Sequence, residues 1–301
     1  MIDLHLHSTY SDGKLKPVEV AKKLVAARVK IASLTDHDTI DGTLKFNKAL
    51  KKFGIIPING VEITAYQDKI GLHILGLGID IKNKLLLKIF ARQAKERKRS
   101  FIKTIKLFEK ARFIINQNKL SRLKKLKILS KPHIFDLIFS SSKNRELLES
   151  KFGFSSHFVP NRLPQSIFID MFMSLPGQIA FVEKGGISCR EAIKAIHKAG
   201  GLVVLAHPGI EIEFGKNKGK ILKMIKKLIK FGIDGIESFS VALAKRKKIS
   251  YFHKIAKKYK LIETVGSDDH DGSRIGTVKI NQTIKKQLIK IFENKKHLAV
   301  L

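Results

Sequence analysis

The sequence predicts an α/β fold in which a parallel sheet or barrel carries a helical insertion. Short apolar strands alternate with amphipathic helices near both ends of the chain, which is the βα pattern of such folds. Between these two stretches the sequence has a mainly helical pattern and is rich in Lys and Arg. We therefore expect an α/β domain formed by residues 1–85 and 188–301, with a basic helical subdomain of residues 86–187 inserted in it.

The first four strands are indicated by short apolar runs. Residues 2–7 alternate apolar and polar side chains, so His5 and His7 share one face of the first strand. Pro17 is typical of the first turn of a helix, and Gly54 is typical of a helix end. The predicted segments are helices at about 17–25 and 42–53 and strands at 31–35, 55–63 and 72–79.

The βα pattern resumes after the insertion. Gly200 and Gly201 separate a helix from an unbroken apolar run at 202–206, which is typical of a strand buried on both faces. The remaining predicted helices are at 189–199, 218–231, 244–259 and 284–293. The remaining predicted strands are one at 233–238 and a last one that ends at about Thr264.

The composition narrows the class of protein. With 59 Lys and Arg against 26 Asp and Glu, the net charge is +33, which favours a polyanionic partner such as RNA. An AT-biased genome that enriches Lys, Ile, Asn and Phe explains the charge equally well. The sequence contains no apolar run of 18 residues, so it predicts no membrane span. Because Cys189 is the single cysteine, an internal disulfide and a cysteine-based zinc site are excluded. These features are typical of a cytoplasmic protein.

Metal-ligand residue types recur where strands end or in the loops that follow. They are His5, His7, Asp12, His37, Glu62, His73, His207, Asp268 and His270. The carboxyl ends of parallel strands lie at one face of a sheet, so these side chains are expected to converge. Six imidazoles and three carboxylates exceed the coordination of one ion. The set therefore favours two or three divalent ions, with manganese, iron and zinc as candidates.

The motifs that carry these residues resemble those of a known family. They are residues 3–13, 34–39, 60–63, 206–208 and 266–270, together with His73. In this order they are similar to the PHP (polymerase and histidinol phosphatase) family. More narrowly, they resemble its branch of small bacterial phosphoesterases, which comprises 3′,5′-nucleoside bisphosphate phosphatases and 5′→3′ exoribonucleases of the RNase AM type. The resemblance covers about residues 1–80 and 188–275.

The resemblance implies a distorted (β/α)7 barrel with a site for three divalent ions, usually manganese. It implies that the first ion is held by His5, His7, Glu62 and Asp268. A second set would be Asp12, His37 and His270, and a third would be Glu62, His73 and His207, with Glu62 bridging. The attacking group would be a metal-bound water, so that no separate protein nucleophile is needed.

Candidate substrate contacts come from three further positions. Lys131 and His133 resemble a basic-Pro-His segment that helps to bind substrate phosphate in the same branch. The alternative is a helix start at Pro132 with a surface histidine. Arg274 follows the motif at 266–270 closely and is a candidate phosphate contact by proximity.

Residues beside the ligands have expected roles of their own. Asp36 and Asp38 flank His37 and are candidates for orienting imidazoles; for Asp38 the alternative is to cap the helix that follows. Asp269 stands where the family usually has an aromatic residue, which makes the local packing of this loop the main departure from the pattern.

Three functions are compared. The first is a metal-dependent 5′→3′ exoribonuclease that releases 5′-mononucleotides from short RNA or rRNA precursor ends and also hydrolyses 3′,5′-nucleoside bisphosphates. The second is a phosphatase dedicated to a small molecule, either a 3′,5′-bisphosphonucleotide or histidinol phosphate. The third is a non-catalytic RNA-binding protein. The basic charge favours the polymer, and the complete ligand set argues against the non-catalytic function.

Overall fold

The computed structural model describes residues 1–154, 164–182, 185–208, 210, 217–243 and 246–294. The chain divides into two compact units. One is formed by Met1–Ala91 with Gly186–Leu301, and the other by Arg92–Gly185. None of the described helices combines the length and the apolar character that crossing a membrane requires.

The first unit begins with β1 (Ile2–Asp3), α1 (Pro17–Ala26), β2 (Ile31–Leu34), α2 (Thr43–Lys52), β3 (Ile56–Gln67) and β4 (Ile70–Leu77). Helix α1 starts at Pro17, and the Glu19 carboxylate accepts a hydrogen bond of 2.6 Å from Lys16 N. The side chains of Val20 and Leu24, four positions apart, are fully buried and attach this helix to the core.

A long helix, α3 (Lys84–Lys110), begins in the first unit and continues into the second. The second unit also contains α4 (Gln117–Leu123), α5 (Lys131–Phe139), α6 (Ser142–Phe152) and α7 (Pro164–Phe172). Its core contains a cluster of phenylalanine rings among isoleucines and leucines: the ring centroid of Phe108 lies 5.2 Å from that of Phe113 and 5.6 Å from that of Phe168. The second unit therefore has an aromatic core of its own.

The chain returns to the first unit with β5 (Ile187–Ser188), α8 (Cys189–Lys198), β6 (Leu202–Leu205), α9 (Lys218–Phe231), β7 (Gly235–Ser240), α10 (Arg246–Tyr259), β8 (Ile262–Gly266) and α11 (Gln282–Asn294). Every residue of β6 is buried, as its unbroken apolar sequence predicts.

The strands form one sheet in the order β1-β2-β3-β4-β6-β7-β8, with β5 paired to β3. The sheet nearly closes, because Leu4 N beyond β1 donates a 3.0 Å hydrogen bond to Val265 O of β8, and Leu6 forms a parallel bridge with Asp269. The predicted α/β class and barrel-like sheet are thus confirmed.

One part of the sheet departs from the parallel pattern. Strand β4 runs antiparallel to both β3 and β6. It is joined to β3 by a tight turn at Asp68 and Lys69, whose φ angles of 52° and 63° are both positive. The two strands extend beyond their predicted ends at residues 63 and 72 and form a long hairpin.

Candidate metal centre

The segment after β1 carries His5 and His7 into the interior of the first unit. Its backbone pairs with the loop after β8: Asp268 N donates to His5 O, and His7 N donates to Asp269 O, each at 3.0 Å. Both imidazoles are buried. The pairing places Asp268 Oδ1 at 3.5 Å from His5 Nε2 and at 3.3 Å from His7 Nε2.

A tight turn at Ser8–Gly13 positions Asp12 beside these imidazoles. Three hydrogen bonds hold the turn to the buried Asp36 carboxylate, donated by Ser8 N at 2.7 Å, Ser8 Oγ at 2.6 Å and Ser11 Oγ at 2.6 Å. Asp12 Oδ1 then lies 3.7 Å from His7 Nδ1 and 3.4 Å from His270 Nε2.

Glu62 lies at the centre of the cluster, with its side chain fully buried. Five imidazole nitrogens surround its carboxylate: His5 Nε2 at 3.3 Å, His7 Nε2 at 3.2 Å and His37 Nδ1 at 3.1 Å from Oε2, and His73 Nδ1 at 2.9 Å and His207 Nε2 at 3.1 Å from Oε1. A single carboxylate therefore joins side chains contributed by the segment after β1, by β4 and by the loops after β2 and β6.

The prediction that all these residues stand at strand ends is wrong for Glu62 and His73. Glu62 lies inside β3, and His73 lies inside the antiparallel β4 opposite Thr64. Because Thr64 and Glu62 are two residues apart on one strand, Glu62 and His73 are diagonal neighbours on the same face of the hairpin. The hairpin thus achieves the convergence that the sequence analysis expected from parallel strands.

All nine predicted ligand residues come together. In four overlapping groups, each residue offers one nitrogen or oxygen atom, and these atoms lie within 4.8 Å of one another. The groups are His7 with Asp12, His37 and His270; His5 with Glu62 and His207; His5 with His7 and Asp268; and His37 with Glu62 and His73. The last three groups share His5 or Glu62, and the first group shares His7 and His37 with two of them, so the cluster is continuous.

The donor atoms fit divalent cations. Several buried ligand-type atoms in the described part of the cluster have no hydrogen-bond partner: His5 Nε2, His7 Nε2, His37 Nδ1, Asp12 Oδ1 and Glu62 Oε2. Leaving a buried polar atom unpaired costs about 1–3 kcal/mol. Imidazole nitrogens and carboxylate oxygens donate lone pairs to borderline and hard ions, so more than one bound cation could satisfy these five atoms.

The ionisable groups perturb one another strongly. Burial lowers the pKa of His5, but the carboxylates of Glu62, Glu237 and Asp268 outweigh this effect and raise it to about 10. Burial acts in the opposite direction on Glu62, yet the surrounding imidazoles, His37 first, hold its pKa well below the usual range. At His37 burial prevails and lowers the pKa well below its ordinary value.

These shifts predict that the affinity for a divalent cation rises with pH between pH 6 and 8. With a pKa of about 10 in the metal-free protein, His5 carries a proton that the metal must displace. Each displaced proton makes the Kd fall by about tenfold per pH unit. Calorimetric titration with Mn²⁺ at pH 6, 7 and 8, in buffers of different ionisation enthalpy, measures both the Kd and the protons released. A Kd that does not change with pH, without proton release, would contradict the expectation.

Glu237 belongs to the site and was missed by the sequence analysis. This fully buried residue of β7 accepts a 3.1 Å hydrogen bond from His5 Nδ1 through Oε1 and a 2.9 Å bond from His207 N through Oε2. A Cβ on Gly266 would lie 2.4 Å from Glu237 Oε1, so only glycine fits there. The one available signal was an acidic residue within a strand that is otherwise buried.

Two aspartates shape the loop after β8. The Asp3 carboxylate accepts a 2.9 Å hydrogen bond from Ser267 N, and burial raises the pKa of Asp3 to about 7. Asp269 is buried and accepts from Gly272 N at 2.6 Å and from Arg274 N at 2.9 Å. At position 269, where the family usually has an aromatic residue, the Asp269 carboxylate therefore stabilises the turn by hydrogen bonds instead of apolar packing.

The aspartates beside His37 contact backbone and hydroxyl groups. Asp36 reaches His7 indirectly, because Ser11 Oγ, which donates to Asp36, lies 3.5 Å from His7 Nδ1. Asp38 accepts a 3.0 Å hydrogen bond from Thr64 N and thereby links this loop to β3. The alternative that Asp38 caps α2 is wrong, since Gly42 is the N-cap residue.

The three candidate substrate contacts stay predictions. Lys131 and His133 lie in the first turn of α5 in the second unit, where His133 Nδ1 accepts a 3.1 Å hydrogen bond from Ser130 N. Burial lowers the pKa of Lys131 against the opposing effect of Asp170. Arg274 is half-buried in the loop after β8, where its backbone N–H donates to Asp269.

Comparison with known proteins identifies the family. The model of the PHP domain matches residues 3–159. A 5′-3′ exoribonuclease from Haemophilus influenzae is 28% identical over 268 residues, covering 89% of both chains. A 3′,5′-nucleoside bisphosphate phosphatase from Chromobacterium violaceum is 28% identical over 277 residues, covering 89% of this chain and 87% of the relative.

Solved structures agree with the fold. An amidohydrolase from Chromobacterium violaceum, determined with bound sulfate and no metal, superposes with a TM-score of 0.80 at 26% identity, covering 98% of this chain and 96% of the other. A protein from Bifidobacterium adolescentis, proposed to be a metal-dependent phosphoesterase, superposes with a TM-score of 0.74 at 20% identity over 96% of this chain and 95% of the other. The second likeness shows the fold alone.

Proposed function

Since this chain belongs to the PHP domain family and is a hydrolase of phosphoester bonds, we propose that it is a 5′→3′ exoribonuclease that also hydrolyses 3′,5′-nucleoside bisphosphates. Both substrates present a 5′-phosphate and a phosphoester on the 3′ oxygen, so one site can accept either. The non-catalytic alternative is excluded by the family. A dedicated small-molecule phosphatase is the second candidate, because a nucleoside bisphosphate phosphatase is as similar to this chain as an exoribonuclease is.

One observation carries the proposal: nine ligand-type side chains, with Glu62 among them, form a continuous cluster in the first unit. We assign His5, His7, Glu62 and Asp268 to one cation, Asp12, His37 and His270 to a second, and Glu62, His73 and His207 to a third. Manganese is the proposed ion, with iron and zinc as the alternatives. When bound, such ions supply an activated water, polarise the phosphoryl oxygens and neutralise the charge on the leaving oxygen.

The chain itself contributes positioning. Glu237 holds the His5 imidazole through Nδ1, which leaves Nε2 directed at Glu62 and Asp268. Asp36 fixes the turn that presents Asp12, and Asp3 fixes the backbone that presents Asp268. Because buried hydrogen bonds hold His5, the Asp12 turn and the backbone before Asp268, these ligands need little reorganisation when substrate arrives.

The substrate contacts of Lys131, His133 and Arg274 form part of this proposal, as do rRNA precursor 5′ ends as a target and the cytoplasm as the location. A single nucleotide needs few cations, whereas a net charge of +33 suits a polyanion. The charge therefore supports RNA over a mononucleotide as the principal substrate.

The direct test compares the two substrates. Purified protein with Mn²⁺ is incubated with 5′-phosphorylated short RNA and, separately, with 3′,5′-bisphosphoadenosine, and the initial rates are compared. We expect 5′-mononucleotides to be released from RNA from the 5′ end and the 3′-phosphate to be removed from the nucleotide. Turnover of the nucleotide alone would favour the second candidate, and turnover of neither would refute the proposal.

Salt dependence gives a further prediction. If the protein contacts several RNA phosphates, log(kcat/KM) for RNA falls linearly with log[salt], with a slope of about −0.7 for each phosphate of a single strand. The rate with 3′,5′-bisphosphoadenosine, measured over the same 50–300 mM KCl series, serves as the control and is expected to change much less. Equal slopes for the two substrates would count against use of the polymer.

A further inference from the structure

An open surface pocket of about 510 Å³ lies beside the turn that carries Asp12. Its wall includes Tyr10 from this turn, Lys16 just before α1, Lys22 from the middle of α1 and Lys45 from the first turn of α2. The volume lies within the range of sites that bind small organic ligands. None of the nine proposed metal ligands lines this pocket, so it is a separate feature of the first unit.

The Tyr10 ring is held in a defined position. Lys45 Nζ donates a 2.7 Å hydrogen bond to Tyr10 Oη and lies 5.5 Å from the ring centroid. On another side the ring packs against Gly42, where a Cβ would lie only 3.1 Å from Tyr10 Cδ2. The ring remains half-buried and forms part of the pocket wall, where its exposed part is available to a ligand.

The charge of the pocket is positive. Lys16, Lys22 and Lys45 are all exposed. Among the described lining residues, Glu19 is the one acidic side chain, and its carboxylate accepts a 2.6 Å hydrogen bond from Lys16 N at the start of α1. Val18, with 45% exposure, adds apolar surface. An aromatic ring with neighbouring cations is the combination that binds single-stranded nucleic acid, through base stacking and phosphate contacts.

The pocket is close to the metal centre along the chain. Tyr10 precedes Asp12 by two residues, so their Cα atoms are at most about 7.6 Å apart. The hydrogen bonds from Ser8 and Ser11 to Asp36 fix the turn on both sides of Tyr10. A nucleotide bound against this ring would therefore be a near neighbour of a phosphoester held at the cluster.

We propose that this pocket binds a nucleotide of single-stranded RNA adjacent to the scissile phosphodiester, with a base stacked on Tyr10 and phosphates facing Lys16, Lys22 and Lys45. This proposal rests on the proposed exoribonuclease function, and it explains which of the two substrates the protein prefers. A 3′,5′-nucleoside bisphosphate has no second nucleotide, so it leaves the pocket empty. The pocket thereby favours an oligonucleotide over a mononucleotide.

The test measures the ratio of kcat/KM for a 5′-phosphorylated RNA tetramer to kcat/KM for 3′,5′-bisphosphoadenosine. Because one stacked base contributes about 1–3 kcal/mol, we expect Tyr10→Ala to lower this ratio at least fivefold. Tyr10→Phe keeps the ring and is expected to restore the ratio to within about twofold of wild type. Damage to the Asp12 turn would lower both rates together and leave the ratio unchanged.

The lysines are tested by the salt dependence of the tetramer reaction. Lys22→Ala should reduce the log-log slope by about 0.7, the loss of one single-strand phosphate contact. Lys257→Ala on α10 removes the same charge from an exposed position in the same unit and should leave the slope as in wild type. An equal reduction of the slope in both variants would show that overall charge causes the effect, and it would refute the nucleotide site.

The outcomes separate this site from the function on which it rests. If the wild-type protein hydrolyses neither substrate, the proposed function fails. If it degrades the tetramer and every pocket variant keeps the wild-type ratio and slope, the function stands and the nucleotide site is refuted.

Discussion

Replacing Glu62 by Gln is expected to lower kcat/KM at least a thousandfold with either substrate. Its two carboxylate oxygens lie within 3.3 Å of five imidazole nitrogens, so the change removes a negative charge from the point shared by most of the cluster. Removing one electrostatic group from a preorganised site typically costs about 10²–10³ in rate. We expect a larger loss because Glu62 is a proposed ligand of two cations. The measurement is kcat/KM at saturating Mn²⁺, together with bound metal per chain.

The matched control for this variant is Glu263→Gln. Glu263 is also a buried glutamate of the same sheet, but its carboxylate accepts hydrogen bonds from Ser238 Oγ at 2.6 Å and from His253 Nδ1 at 2.9 Å, outside the cluster. We expect this variant to lose stability while keeping its metal content. Should Glu62→Gln bind the full complement of metal and retain near-normal turnover, the assignment of the cluster is wrong.

The second large effect is expected for Glu237→Gln, which should weaken metal binding by about 10–100-fold. Glu237 is a positioning residue: it accepts from His5 Nδ1 and from the backbone N–H of His207. The amide keeps the shape and one acceptor, but it removes the charge and turns an NH₂ group towards one of these donors. Calorimetric titration of the metal-free protein with Mn²⁺ measures the change in Kd.

A purely structural role for Glu237 predicts a different result. In that case Glu237→Gln would lower the melting temperature of the metal-free protein while the Kd for Mn²⁺ stayed within about twofold of wild type, since the remaining folded protein would bind normally. Glu237→Asp keeps the charge on a shorter side chain. If this variant restored the metal affinity, the charge at position 237, and not the shape of the side chain, would be what metal binding requires.

The sequence allowed the cluster itself to be predicted, because its residues are held in short local motifs. His5 and His7 are two positions apart on one strand, so their shared face follows from strand geometry alone. Their meeting with Asp268 required only that the chain return to the same edge of one sheet, which the βα pattern predicts. Local spacing and fold class were sufficient for these residues.

The hairpin and Glu237 could not be predicted in the same way. The β3–β4 turn places Asp68 and Lys69 in the left-handed region, and an Asp-Lys pair lacks the glycine that usually indicates such a turn. We therefore did not predict that β4 is antiparallel or that His73 lies within this strand. Glu237 is followed by Ser238 and lies in none of the ligand motifs, and only the folded sheet shows that its carboxylate faces His5.

The pairing of the segment after β1 with the loop after β8 also determines when the centre can form. Asp268 follows His5, and His270 follows His7, by 263 positions, so the two early histidines leave the ribosome well before the other two residues. At 5–20 residues per second this interval lasts roughly 10–50 seconds. The bond between Ser267 N and Asp3 joins residues 264 positions apart, so a nascent chain can form it only after this interval. A nascent chain released before Asp268 would therefore offer a cation only an incomplete set of the proposed ligands.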